Sequence, residues 1–280
     1  MTPRRLPGED GVLGPELTCA VELVRRAGAE VLAMQRGEII VDLKPGDEPV
    51  TAADRRGSEI IVEGLALAFP ADAVISEEAP PPPGAQAAAR LWLVDPIDGT
   101  KDYIRKEDGY AVMLGLVRDG VPVLGAVYQP VQDRLFYAVP EGAWVAIGDA
   151  VEPLRVSDVA VASDVRLVAS KSHRSTDIDR VKTELGIANE LNVGSVGVKL
   201  CLIALGVRDL YVNPAAKTKA WDTCAPEAIL AKAGGRLSDL FGDPIDYRGE
   251  LAHRRGLVAS NGHVHGEVVS KLAPLFPQLR

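Results

Sequence analysis

Two aspartates three residues apart, in the string Val94-Asp95-Pro96-Ile97-Asp98-Gly99-Thr100, carry the clearest chemical signal of this 280-residue chain. The apolar run at 91–94 delivers them to a turn in which Pro96 fixes its own φ and holds Asp95 extended. Gly99 permits a close or left-handed backbone there. Two carboxylates and the Ile97 carbonyl then share one side, as hard oxygen donors of the kind Mg2+ takes. A helix opening at Thr100 would turn its first N–H groups toward an anion. Three more acidic groups stand at element ends: Ser76-Glu77-Glu78, Thr51-Ala52-Ala53-Asp54 and Trp221-Asp222. Each also has a purely structural explanation. Asp95 and Asp98 suit a capped turn, and Glu77 and Glu78 suit a solvated strand edge. Thr51 and Asp54 spell a capping box. Asp222 stands where an N-cap would, with Pro226 in or near the first turn and Gly234-Gly235 ending the helix.

These residues depend on the elements that carry them. Apolar residues at helical spacing run from Glu16 to near Gly37, and a second helix runs from about Thr51 to Phe69, where Pro70 stops it. Strand-like segments at 73–76 and 91–95 flank an exposed loop containing the prolines of 80–84. From 111 to 147 apolar runs alternate with turn residues, as in an antiparallel meander, with Asp119-Gly120 the strongest hairpin signal. Beyond about 156 strands alternate with helices, including helices at about 195–206 and 223–233, which predicts an α/β unit. The expected organisation is an N-terminal α+β domain at 15–156 and a C-terminal α/β domain at 157–276.

Composition narrows the class. Thirty-one Lys+Arg against 39 Asp+Glu give a net charge of -8, unlike a protein that coats nucleic acid by neutralising phosphates. A small phosphorylated substrate stays open, because bound cations reverse the local sign. No stretch approaches the roughly 20 apolar residues of a membrane span, and the N-terminus lacks the apolar core of a secretory signal. Cys19, Cys201 and Cys224 read as unpaired thiols in a reducing compartment, so a cytoplasmic location is expected. Of the four histidines only His263 and His265 are closely spaced, and both read as exposed.

Taken jointly, the acidic groups say more than they do singly. Trp92-Leu93-Val94-Asp95-Pro96-Ile97-Asp98-Gly99-Thr100, the upstream Ser-Glu-Glu, Val50-Thr51…Asp54 with Lys44 before it, and Trp221-Asp222-Thr223 resemble the inositol monophosphatase-like superfamily of metal-dependent, lithium-sensitive phosphomonoesterases. The resemblance covers the chain from about Leu17 onward. It implies a layered αβαβα sandwich of the α/β (α+β) class, with an antiparallel-sheet domain packed on a smaller α/β domain. It further implies that Glu77, Asp95, Asp98, Asp222 and the Ile97 carbonyl bind two or three Mg2+ ions. Asp54 and Thr100, with Glu77 assisting, would orient and deprotonate the attacking water. The N–H groups of Gly99 and Thr100 would hold the phosphate, with Asp222 also facing substrate. None of these residues is missing, which speaks against a catalytically silent relative.

The stretch before Trp221 is similar to the 3'(2'),5'-bisphosphate nucleotidase branch. Its marks are Ser195 and Lys199, the run Cys201-Leu202 to Gly206, Asp209-Leu210-Tyr211, Ser170-Lys171-Ser172-His173 and Lys101-Asp102-Tyr103-Ile104. That likeness implies hydrolysis of adenosine 3',5'-bisphosphate to AMP, with Ser195 and Lys199 on the second phosphate and His173 near the nucleoside. As residues alone, Lys199 also suits a surface lysine on a helix and His173 a surface loop. Two positions depart from the branch: Ser195 and Lys199 stand one residue further apart, and Asn213 replaces a basic residue, with Lys217 or Lys219 as substitutes. Inositol 1-phosphate is therefore the alternative substrate and fructose 1,6-bisphosphate a more distant one. The expected partner is a small phosphate ester, with no nucleic acid and no membrane, acting on a monomer or homodimer.

Overall fold

The computed structural model describes residues 5–44, 47–171 and 176–280. Helices α1 (Gly14–Gln35) and α2 (Ala52–Ala68) flank a small hairpin of β1 (Val41–Lys44) and β2 (Glu48–Thr51). Next come β3 (Ala73–Ser76), β4 (Arg90–Asp98), the short α3 (Thr100–Ile104) and the meander β5 (Ala111–Arg118), β6 (Val121–Gln129), β7 (Arg134–Val139), β8 (Gly142–Ile147) and β9 (Ala150–Pro153). The remainder is β10 (Leu167–Ser170), α4 (Thr176–Leu185), β11 (Glu190–Val193), α5 (Val196–Ala204), β12 (Leu210–Asn213), α6 (Ala220–Lys232), β13 (Arg236–Ser238), β14 (Leu257–Ser260) and α7 (His265–Leu272).

Strands β3 to β9 form one seven-stranded sheet in sequence order, parallel only between β3 and β4. Asp119 and Gly120 both take positive φ (52° and 84°), the backbone a two-residue hairpin turn needs. The second sheet has the order β11-β10-β12-β14-β13. Helical crossovers keep β10, β11 and β12 parallel. No helix separates β13 from β14, so β14 returns antiparallel and inserts beside β12. The strand–helix alternation thus yields a mixed sheet.

The layers follow from which faces are apolar. Leu17, Val24 and Ala27 of α1 and Ile61 of α2 pack on Trp92, Val94, Val112 and Leu114 of the large sheet. Its opposite face, through Met113, Val127 and Phe136, meets Val198 and Leu200 of α5 and Ile229 of α6, which also cover Val168, Tyr211 and Leu257 of the second sheet. The outer face of that sheet carries Ile178 and Val181 of α4 and Val268 of α7. The result is an αβαβα sandwich. Helix α6 lies so close to β5 and β6 that a Cβ on Gly125 would meet the Ala225 carbonyl oxygen at 2.0 Å and one on Gly115 the Cys224 sulfur at 2.5 Å.

Two local expectations are corrected. Helix α6 opens at Ala220, so Asp222 is its third residue rather than its N-cap, and Pro226 lies inside the helix. His265 is buried, held between Ser238 (2.8 Å) and Ser260 (2.9 Å); His263 is exposed as expected.

Candidate active site

A fault in strand pairing creates the site. Asp95 pairs with Met113 and Asp98 with Ala111, so β4 carries one residue more than β5 across this interval. Pro96, with no N–H to give the ladder, sits in the gap. Side chains alternate across a regular strand, so residues three apart would face opposite sides. Here Trp92 and Val94 face α1 and α2, Ile97 also packs with Val31 and Ala53 of those helices, and Asp98 turns to the other side to reach Ser195. The bulge brings Asp95 and Asp98 together. One carboxylate oxygen from each of Asp95, Asp98 and Asp222 lies within 4.8 Å of the others.

Each of these aspartates uses one oxygen on its own scaffold. Asp95 Oδ1 accepts from Ile97 N (3.0 Å), Asp222 Oδ2 from Lys219 N (2.7 Å), and Asp98 Oδ2 from Ser195 Oγ (2.6 Å) and Gly197 N (2.7 Å). The other oxygens of Asp95 and Asp222 accept no hydrogen bond among the described residues, and Val196 N adds a further backbone donor to Asp98. Burial raises the pKa of Asp95 and Asp222 well above the ordinary carboxylate range, and repulsion from neighbouring carboxylates adds to it. For Asp98 burial raises the pKa, opposed by Lys199 and by the Ser195 and Gly197 hydrogen bonds. Buried like charges with free oxygens are stable in ionised form only with cations among them. The donor set therefore fits a divalent, oxygen-seeking metal.

Around this cluster stand the other expected residues. Glu77, at the end of β3, lines the same cavity, and Lys44 Nζ reaches its Oε1 (3.0 Å) and Glu78 Oε1 (2.6 Å). Burial pushes Glu78 up to about 7 against the pull of Lys44. Asp54 serves structure and site together: its Oδ2 closes the capping box of α2 with Thr51 N (2.7 Å) and Thr51 Oγ1 (2.6 Å), while Oδ1 faces Thr100 Oγ1 at 3.3 Å. Thr100 also reaches the Ile97 carbonyl (3.1 Å). Gly99 opens α3 with φ 100°, and a Cβ there would crowd the Gly109 oxygen at 3.0 Å, so only glycine fits without strain.

Ser195 is wholly buried and caps α5 through Val198 N (2.9 Å), with its hydroxyl given to Asp98. Lys199 is no surface lysine. It is 1% exposed, its Nζ donates to the carbonyls of Val193 (3.1 Å) and Gly194 (2.7 Å) over the Tyr211 ring, and burial lowers its pKa to about 8. It nonetheless lines the cavity. His173 lies outside the described residues. The cavity, about 1020 Å³, also takes in Lys101, Lys217 and Asn213, and at its mouth Lys219 pairs with Glu48 (3.2 Å). That ion pair escaped sequence reasoning, since 171 residues separate its partners.

An αβαβα sandwich with a buried acidic cluster beside a helix N-terminus defines a metal-dependent phosphatase. Residues 13–275 match the inositol monophosphatase family, and the chain belongs to it. Among relatives, it is 36% identical over 229 residues to 3'(2'),5'-bisphosphate nucleotidase CysQ of Salmonella typhimurium, covering 81% of this chain and 91% of that protein. It is 32% identical over 267 residues to the histidinol-phosphatase of Mycobacterium tuberculosis, covering 92% and 97%. Its fold matches the solved IMPase of Thermotoga maritima with a TM-score of 0.80 at 24% identity, over 95% of this chain and 99% of that one. No helix among the described residues is long and apolar enough to cross a membrane.

Proposed function

We propose that the chain is a Mg2+-dependent, lithium-sensitive phosphomonoesterase that removes the 3'-phosphate of adenosine 3',5'-bisphosphate, giving AMP and phosphate. One observation carries the reading: the cavity with the acidic cluster on one wall also bears Lys101, Lys199, Lys217 and Lys219. Such cationic groups suit a substrate with a second phosphate. The similarity to CysQ supports the same substrate. Buried, unpaired Cys201 and Cys224 support a reducing, cytoplasmic setting, where the chain acts as a monomer or homodimer.

In this reading Asp95, Asp98, Asp222, Glu77 and the Ile97 carbonyl hold the cations. Two or three bound Mg2+ ions would offset phosphate charge and lower the pKa of the attacking water. The N–H groups of Gly99 and Thr100, which a helix start leaves without intrahelical partners, receive the phosphate oxygens. Thr100 Oγ1 takes a proton from the water as it passes its own to Asp54 Oδ1, a relay suited to a carboxyl whose pKa burial has raised. Lys199, Lys217 and Lys219 face the second phosphate, Ser195 holds Asp98, and His173 lies toward the nucleoside.

A monoester without a second phosphate is the competing reading, favoured by the longer span of similarity to the histidinol-phosphatase; inositol 1-phosphate belongs with it. The test is phosphate release from adenosine 3',5'-bisphosphate, inositol 1-phosphate, histidinol phosphate and fructose 1,6-bisphosphate at matched Mg2+. The proposal expects the highest kcat/KM for the first. A higher value for any of the others replaces it.

A further inference from the structure

Helix α6 carries Asp222 in its first turn and Pro226 one turn later. Proline has no N–H, so the Asp222 carbonyl lacks the i+4 donor that a regular helix provides. The weakened turn is bridged from outside. Tyr247, 1% exposed in the loop before β14, holds its hydroxyl 2.5 Å from Glu227 Oε2 and 3.0 Å from Thr223 Oγ1. Thr223 and Glu227 stand i and i+4 on α6, spanning the residue that cannot donate. On the far side of Thr223, His253 Nε2 lies at 2.8 Å. Burial lowers the His253 pKa to about 4, so the ring is neutral. The Tyr247 hydroxyl is the donor toward both Thr223 Oγ1 and Glu227 Oε2, and Thr223 Oγ1 in turn faces the Ala220 carbonyl at the start of α6 (3.3 Å). The same loop pairs with the segment entering α6, through Ala220 N to Leu251 O (2.7 Å) and His253 N to Thr218 O (2.8 Å). That segment supplies the Lys219 N–H held by Asp222.

We propose that Tyr247, bonded to Thr223 and Glu227, is a staple across the turn that Pro226 interrupts, and that it positions Asp222 for cation binding. The inference rests on Asp222 being a cation ligand. Side-chain atoms lie about 5–6 Å from a helix axis, so a rotation of the first turn by roughly 10° displaces the carboxylate by about 1 Å. Functional constellations tolerate only about 0.5 Å. Tyr247, Thr223 and Glu227 are positioning residues, and none of them touches substrate.

The probe is Mg2+ alone, titrated calorimetrically into the metal-free full chain. Tyr247→Phe and Thr223→Val should raise the Mg2+ Kd by about 10-fold, and Thr223→Ser should restore it. At saturating Mg2+ the substrate KM should not move. Pro226→Ala returns the missing N–H, so Tyr247→Phe should shift the Kd less in that background than in the parent. The staple is overturned if Tyr247→Phe lowers Tm with the Mg2+ Kd unchanged, or if its effect is the same in both backgrounds. If the parent chain binds no Mg2+, the assignment of Asp222 itself fails and the staple with it.

Discussion

Asp54 Oδ1 and Thr100 Oγ1 lie 3.3 Å apart although 46 residues separate them, and the same Asp54 carboxylate caps α2 through its other oxygen. One residue thus fixes a helix start and faces the Thr100 hydroxyl beside the cavity. Asp54→Asn keeps an oxygen for the Thr51 N–H but removes the proton acceptor. It should cut kcat by about 10²–10⁴-fold with little change in Tm. Asp54→Ala should also lose about 1 kcal/mol of stability with the cap. Kinetics beside thermal unfolding of both variants separates the two roles; full activity in Asp54→Asn would exclude the relay.

Burial and the charges of Asp98 and Glu77 oppose ionisation of Asp222. Asp222→Asn removes one of those charges while leaving an acceptor for the Lys219 N–H. The metal-free variant should melt above the parent, yet lose Mg2+-dependent phosphatase activity and the rise in Tm that Mg2+ gives the parent. A metal-free Tm below the parent's would contradict the repulsion argument.

Ser195 ties α5, in the half that carries the second sheet, to Asp98 on β4. Ser195→Ala removes that donor and the N-cap together, and should cost about 1 kcal/mol in stability and weaken Mg2+ binding by about 10-fold. Calorimetry with Mg2+ reads the second effect. Loss of stability at unchanged affinity would reduce Ser195 to a cap.

Burial pushes Glu227 up to about 7 from an ordinary 4.5, and Asp95, Asp98 and Asp222 are raised as well. These carboxyls therefore bind more protons in the folded than in the unfolded chain between about 4.5 and 7, so the stability they contribute falls as pH rises through that window. His253 and His265, lowered to about 4 by burial, act in the opposite sense below about 6.5. For Glu227 alone the loss is on the order of 3 kcal/mol. Thermal unfolding in chelator at pH 5 and pH 7 should show the parent Tm falling relative to that of Glu227→Gln. A parent Tm that holds or rises relative to Glu227→Gln over this range would refute the assignment.

The residues of the acidic cluster were legible in the sequence because short motifs place them at the ends of strand and helix patterns that periodicity reveals. Thr51 and Asp54 illustrate why neither explanation had to yield: the capping box is real, and the carboxylate has a second oxygen. What failed was burial of polar groups. His265 reads as exposed because its partners Ser238 and Ser260 enter from β13 and β14. For Lys199 the alternative of a surface lysine falls away, because the carbonyls that hold it belong to the last residue of β11 and the one after it. The start of α6 reads too late because proline signals a first turn, whereas here Pro226 stands inside the helix.

The bulge at Pro96 makes the existence of the site a matter of chain length more than of residue identity. Leu91 and Leu93 face the α6 side and Trp92 and Val94 the other, so an uninterrupted count would send Asp98 in among the apolar side chains of α1 and α2. The extra residue acts like a shift of reading frame within one strand. Any residue that fits the gap preserves the parity that joins Asp95 to Asp98. Removing one residue would invert it and leave a charge in the apolar layer. Between 95 and 98, β4 can therefore vary its spelling but not its number of letters.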